Sequence, residues 1–258
     1  MSDNPAVTWE KAGDGILVVT LVQPPANPLG PPIIDGLAAA LDEADRTGGI
    51  RTVVVTSGLP RFFVAGADIK YMAGIDAAGF SAYGDHLRGV LDRLAGSERV
   101  TIAAVEGLAL GGGLELAMAC TLRVAGADAR FGLPEVGLGL IPGAGGTQRL
   151  PHLVGRGRAL DVMLTARQVP ADEAKAIGLV DRLVDAGAAL DAALELAGVL
   201  GTKSAAALGA VVRSVDAAFD RPAEGMRVEA DEVEALFASG EAAEGLAAFV
   251  EKRAPRFA

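Results

Sequence analysis

Sulfur and imidazole are scarce in this 258-residue chain, which carries one cysteine and two histidines. The single Cys120 excludes an intrachain disulfide. Beside Met118, Ala119 and Leu122 it reads as a helical core position rather than a reactive thiol. His86 and His152 stand in no metal-ligand spacing, so surface or packing roles are expected and no metal site is. No GxSxG, HExxH or CxxC motif occurs, which removes the commonest nucleophile, zinc and dithiol signatures. Basic residues are also outnumbered, 23 Lys and Arg against 33 Asp and Glu, for a net charge of −10. That balance argues against a nucleic-acid or anionic-membrane surface, while leaving room for a few local cations to grip a phosphate. MSDNPAVTWE has neither a basic start nor an apolar core, so no secretion signal is expected and the cytoplasm is. Residues 100–120 are apolar enough to suggest a membrane span. They contain Glu106 and Glu115, however, and an acidic residue costs roughly 2.5–3.5 kcal/mol at the bilayer centre.

What is present is a globular composition, 51% hydrophobic and 22% charged, organised around Arg99–Leu150. The apolar run from Val100 to Val105 predicts a buried strand. Gly111, Gly112 and Gly113 follow, and the apolar run from Leu114 to Ala125 reads as a helix. Glycines between a strand and a helix permit a sharp turn and close approach of a ligand. The first-turn N–H groups then point outward with the positive end of the helix dipole behind them, a donor site for a developing oxyanion. The AGAD turn at 65–68 ends another strand, and two such turns could flank one carbonyl oxygen.

Elsewhere, residues 6–10 and 15–22 predict a hairpin, and the proline-rich 23–32 excludes regular structure. Ile33, Ile34, Leu37, Leu41 and Ala44 share one helix face. Val53–Val55 predict a strand, and 76–95 a variable, partly helical excursion. Arg156–Leu164 and Ala171–Ile177 read as helices, with an extended piece at Leu179–Leu183. The segments 188–200, 204–218, 224–238 and 241–252 are all helical in pattern. This divides the chain into a strand and helix region, 1–187, and a helical tail, 188–258, with no fixed-period repeat. GVLGTKS (198–204) and GLGLIPG (137–143) only imitate phosphate and dinucleotide loops, because Thr202 and Pro142 interrupt them.

Two carboxylates stand in apolar surroundings. Glu115 lies among Leu110, Leu114, Leu116 and Met118; as a first-turn acid it also suits the helix dipole. Glu135 follows Pro134, a common helix start, among Leu133, Val136 and Leu138. Partial desolvation raises a carboxyl pKa, and two such groups beside a donor-rich turn suggest paired acid–base work on a neutral substrate.

The segments FFVAGADIKYM, IAAVEGLALGGGLELAMAC, FGLPEVGLGLIPGAGGTQRLPHLVG, AKAIGLVD and FVEKRAPRF together resemble the enoyl-CoA hydratase/isomerase (crotonase) family, in its order and over most of the chain. The resemblance implies an α/β spiral of ββα units with a C-terminal helical region that makes trimers, often paired into hexamers. It implies that the N–H groups of Ala67 and Gly112 hold a thioester oxygen. Glu115 matches the glutamate acting on water, Glu135 the one delivering a proton to the α-carbon, and Gly143 a backbone position beside that water. Ala65, Gly66, Asp68, Ile69 and Leu133 are implied to meet the substrate, and Lys70 the CoA. Phe249 and Lys252 are implied to reach CoA on a neighbouring subunit. Leu133 stands where many hydratases have glutamine, and Arg99-Val100 replaces a frequent Lys-Pro.

The function so implied is syn hydration of a trans-2-enoyl-CoA to the 3-hydroxyacyl-CoA in acyl-CoA breakdown, without metal or cofactor beyond the CoA of the substrate. An isomerase moving the double bond through Glu135 alone is the alternative within the family. A CoA-thioester binding protein without turnover is the alternative outside it.

Overall fold

The computed structural model describes residues 6–257; the reading of the amino terminus falls partly on residues 1–5, outside those described. The chain opens with the hairpin β1 (Val7–Lys11) and β2 (Ile16–Leu21), then α1 (Pro31–Arg46). Strands β3 (Thr52–Ser57) and β4 (Phe62–Val64) lead into α2 (Ile69–Ala73) and α3 (Ala77–Ala95). The pattern recurs as β5 (Val100–Val105), β6 (Leu108–Leu110) and α4 (Gly112–Ala119). It recurs again as β7 (Leu122–Gly126), β8 (Arg130–Gly132), a 3-10 turn at Glu135–Leu138 and α5 (Gly146–Val154). Next come α6 (Arg156–Thr165), β9 (Val169–Pro170), α7 (Ala171–Ala176) and β10 (Arg182–Val184). Four helices close the chain: α8 (Ala189–Gly201), α9 (Ala205–Asp220), α10 (Gly225–Ala238) and α11 (Glu241–Glu251).

The strands form two sheets, ordered β1-β2-β3-β5-β7-β10 and β4-β6-β8-β9. Each of β3, β5 and β7 is followed by a short strand of the second sheet and then by helix, a spiral of ββα units. The units differ in length because one inserts the 19-residue α3, whereas the next turns on the eight-residue α4. This insertion hides the repeat from any fixed-period reading.

Both faces of the first sheet are covered, so its parallel strands read as continuous apolar runs. Leu17, Val19, Val53, Val55, Ala103 and Val105 face the core with α1, α3 and α4. Their alternates, Ile16, Val18, Val54, Ile102, Ala104 and Val124, pack with Ala189, Ala193, Leu196 and Ala197 of α8. The first helix after residue 187 is thus a layer of the sheet. Exposed Val211, Val215, Phe219, Val233, Phe237, Phe249 and Val250 belong to α9–α11.

Two local readings are corrected. The helix expected to run to Ala125 stops at Ala119, and Leu122–Gly126 is a strand between β5 and β10. Thr121 ends the helix by bonding to β5: its N–H donates to Thr101 Oγ1 at 2.8 Å, and Thr121 Oγ1 accepts the N–H of Thr101 at 3.1 Å. An apolar run cannot by itself separate helix from buried parallel strand. Cys120 is the extended residue at that helix end, still buried, with its thiol pushed up to about 12 by desolvation. The excursion at 76–95 is one full helix, whose start Asp76 caps by accepting the N–H of Gly79.

The irregular segment is shorter than 23–32, because Pro31 and Pro32 open α1, where a missing N–H costs no helical bond; what remains is pinned by Asn27, which is fully buried. Its side-chain amide donates to Ser57 Oγ at 2.8 Å and to the carbonyl of Phe63 at 3.0 Å, and its Oδ1 accepts the N–H of Gln23 at 2.7 Å. Ala65 N–H then bonds to Ala26 and Leu29 N–H to Gly66, fixing the AGAD turn against this segment. Among the described residues, no single helix is long and apolar enough to cross a membrane.

Candidate active site

The two glycine turns converge. Gly111 takes φ 53°, a region open chiefly to glycine, and caps α4. A Cβ on Gly112 would lie 3.8 Å from the amide nitrogen of Ala67, and one on Gly66 3.4 Å from the carbonyl oxygen of Leu110. Among the described residues neither the N–H of Ala67 nor that of Gly112 has a backbone partner. For Gly112 the reason is its place as first residue of a helix. For Ala67 it is the parallel bridge to Leu29, which is made by its neighbour, the carbonyl of Gly66.

Glu115, one turn into α4, is 2% exposed. Its Oε1 accepts the N–H groups of Ala144 at 2.7 Å and Gly146 at 2.8 Å. Burial raises its pKa, and those two donors oppose the rise, as do the nearby Arg149 and Arg88. Glu135 opens the 3-10 turn; its Oε1 would lie 3.0 Å from a Cβ on Gly111, so it faces the glycine turn. Its Oε2 is buried without a hydrogen-bond partner. Burial, with the Glu115 charge adding to it, pushes Glu135 up to about 7. Burial thus raises both carboxyls, but their settings differ: Glu115 Oε1 is held by two backbone donors that favour its charged form, whereas Glu135 Oε2 has none.

This asymmetry has a stability consequence. Folded Glu135 holds its proton more tightly than the ordinary carboxyl at 4.5. Its contribution to stability is full below about pH 4.5 and is lost as pH rises through about 7. Glu135→Gln cannot titrate, so its melting temperature relative to the parent is expected to climb between pH 5 and pH 8. A difference that stays flat over that range in thermal melts would contradict the desolvated setting of Glu135.

The other residues singled out divide in two. Gly66, half-buried Asp68, and exposed Ala65, Ile69 and Lys70 flank Ala67 along the chain, with Asp68 capping α2 by accepting the N–H of Tyr71. Leu133 is fully buried, its Cδ1 3.1 Å from a Cβ on Gly146, and so backs the loop holding Glu115. Gly143 lies in that loop. Phe249 and Lys252 are exposed at the end of α11, which packs on α10. Sequence reasoning missed the amides of Ala144 and Gly146 and the cations Arg88 and Arg149. The glycine density of PGAGG was the available sign that this backbone serves a ligand or a side chain. His86 pairs with Asp35 at 3.2 Å, and His152 stacks on Phe219 at 5.3 Å between ring centres. Among the described residues, no group of three or more His, Cys, Asp or Glu is placed to hold a metal ion.

Two unpartnered amides beside two buried carboxyls with unlike hydrogen-bond partners suit an enzyme that stabilises an oxyanion on a carbonyl while moving protons next to it, and here they stand at the strand ends of a ββα spiral. The chain belongs to the enoyl-CoA hydratase/isomerase family, whose model matches residues 11–258. It is 38% identical over 248 residues to a Bacillus subtilis (strain 168) protein named probable enoyl-CoA hydratase, covering 94% of this chain and 95% of the relative. It is 39% identical over 229 residues to the crotonyl-CoA hydratase of Syntrophomonas wolfei, covering 87% of this chain and 85% of that one. The crystal structure of an enoyl-CoA hydratase from Bacillus anthracis matches with a TM-score of 0.93 at 32% identity, over 98% of each chain.

Proposed function

We propose that this protein is an enoyl-CoA hydratase, a hydro-lyase adding water syn across a trans-2-enoyl-CoA. The observation that carries the reading is the unequal carboxyl pair beside the Ala67 and Gly112 amides. In this mechanism the thioester oxygen accepts both N–H groups, so the negative charge that forms there as water attacks meets preset donors. Removing one such donor typically costs about 2.7–4 kcal/mol of barrier. Glu115, whose carboxylate form accepts the N–H groups of Ala144 and Gly146, takes the proton of the water attacking the β-carbon. Glu135, protonated near neutrality, gives its proton to the α-carbon. The product leaves Glu115 protonated and Glu135 ionised, and exchange with solvent resets them. The test is the loss of conjugated-enoyl absorbance with crotonyl-CoA and longer homologues, with the product identified by mass; no 3-hydroxyacyl-CoA from any of them overturns the reading.

Acyl-CoA breakdown in the cytoplasm, with no cofactor beyond the CoA of the substrate, follows as the setting. Lys70, exposed beside the oxyanion turn, is assigned to the CoA phosphates or ribose. Lys70→Ala should raise KM and leave kcat nearly intact, as lost uniform binding does; steady-state kinetics showing collapsed kcat at unchanged KM would refute the assignment. The exposed apolar faces of α9–α11, within the 188–258 region, are assigned to a homotrimer or a dimer of trimers, with Phe249 and Lys252 reaching a neighbouring subunit's CoA. Exposed apolar surface of this kind usually marks an interface. Light scattering at micromolar protein should give three or six chains, and a monomeric mass would exclude both assemblies.

A further inference from the structure

Arg88 and Arg149 lie over the loop that holds Glu115 in a way the family assignment does not explain. Arg88 Nη1 donates to the carbonyl of Gly143 at 3.0 Å, and its Nη2 to Asp85 at 2.6 Å. The Gly143 carbonyl belongs to the same peptide as the Ala144 N–H, which donates to Glu115 Oε1 at 2.7 Å. One amide thus joins a guanidinium on α3 to the carboxylate on α4. Arg149 Nη1 donates to the next carbonyl, Ala144, at 2.9 Å, and its Nη2 to Asp92 at 2.9 Å. Both cations lie against glycine: a Cβ on Gly84 would be 3.0 Å from Arg88 Nη1, and one on Gly145 2.1 Å from Arg149 Nη1.

We propose that Arg88 is a positioning residue for the reaction, fixing and polarising the Gly143–Ala144 peptide so that its N–H holds Glu115 as the base, while Arg149 anchors the adjoining peptide. An amide whose carbonyl binds a cation is a stronger donor, and a peptide held at both ends cannot rotate its N–H away. The groups electrostatically coupled to Glu115 have opposing signs. Glu135 from the 3-10 turn repels its charge, Arg88 and Arg149 attract it, and Tyr83 of α3 is neutral, held up at about 12. Asp85 and Asp92 temper the two arginines through their ion pairs. Arg88 therefore connects the 19-residue α3 insertion of the spiral to the proton-accepting group. The role rests on the hydratase reading, in which Glu115 must be ionised to work.

The experiment compares the parent, Arg88→Gln and Arg88→Lys. The Glu115 carboxyl is titrated by carbon NMR on glutamate-labelled protein, assigned by loss of its signal in Glu115→Gln, and kcat and KM for crotonyl-CoA are measured across pH. In Arg88→Gln the Glu115 titration and the acid limb of kcat should both move up by roughly half to one pH unit, the scale of one lost nearby charge. KM should change less than about twofold, the sign that ground-state binding is untouched. Arg88→Lys should recover most of both shifts. A folded Arg88→Gln protein with both transitions unmoved overturns the proposal, as does a rise in KM at constant kcat, which would make Arg88 a substrate contact. If Arg88→Gln does not fold, Arg88→Met keeps an unbranched helix-favouring stem on α3 and removes only the guanidinium. The same upward direction supports the role, and no shift there overturns it. Absence of hydration by the parent would defeat the hydratase reading alone, because the NMR titration needs no turnover.

Discussion

Glu115→Gln is expected to lower hydratase kcat by about 10²–10⁴, the usual contribution of one general acid–base group. Glutamine fills the same space in α4 but cannot take the proton of water. It also presents either an oxygen or an NH₂ to the Ala144 and Gly146 N–H groups that now converge on Oε1. A 1,3-proton shift of a 3-enoyl-CoA needs only one carboxyl that collects and returns a proton, and Glu135 with its unpartnered Oε2 suits that task. Any isomerase side activity should therefore survive Glu115→Gln better than hydration does, whereas Glu135→Gln should suppress both. The ratio of isomerase to hydratase rate, parent against each variant, separates the roles. A ratio that rises in Glu135→Gln, or stays flat in Glu115→Gln despite a measurable starting isomerase rate, defeats the assigned division of labour.

Gly113→Ala is expected to be the most damaging single methyl addition near the site. Its Cβ would fall 2.2 Å from the carbonyl oxygen of Val64 and 2.7 Å from the Val64 Cβ. Those atoms are the end of β4, which runs directly into Ala65, Gly66 and Ala67. Relief of the clash must push β4 away from the start of α4 and so separate the Ala67 and Gly112 amides. Overpacking of a filled core costs about 1–3 kcal/mol, and spoiling one oxyanion donor removes a further factor of about 10²–10³ in kcat. Gly89→Ala in α3 is the control, because no atom lies within 4 Å of its Cβ. It should leave kcat alone and hold or raise the melting temperature. Parent-like kcat and melting temperature in Gly113→Ala would show that the two turns are not locked together.

The residues that declared themselves in the sequence did so through local contrast. Glu115 and Glu135 are acids in apolar runs, Gly111–Gly113 interrupt a strand and a helix, and the tail helices carry helical spacing that the structure reproduces. Leu122–Gly126 were misread because a strand buried on both faces and a buried helix are equally apolar. Only the partner Thr101 distinguishes them, and it lies twenty residues away. Arg88 and Arg149 were invisible for a related reason. Each is an ordinary surface-type cation until the chain brings it to a carbonyl, in the case of Arg88 one 55 residues distant. The AGAD turn was legible as an exposed backbone turn, but the reason its Ala67 amide stays unpartnered, the bridge to Leu29, belongs to tertiary pairing.

The Asn27 side chain gives the proline-rich segment an unusual status among loops. A segment without regular structure ordinarily opens on its own, far below the free energy of global unfolding. Here the Gln23 amide bonds to Asn27 Oδ1, the Leu29 amide to Gly66 and the Ala65 amide to Ala26, while Asn27 itself is anchored to β2, β3 and β4. None of these bonds can break without disturbing the strands. In hydrogen-exchange terms the segment is expected to open with the core's cooperative unit, so the Gln23 and Leu29 amides should exchange with the central strands and not with the surface turns. The oxyanion amides would consequently share the slow opening of the core strands, although the chain that supports them has no helix or strand of its own.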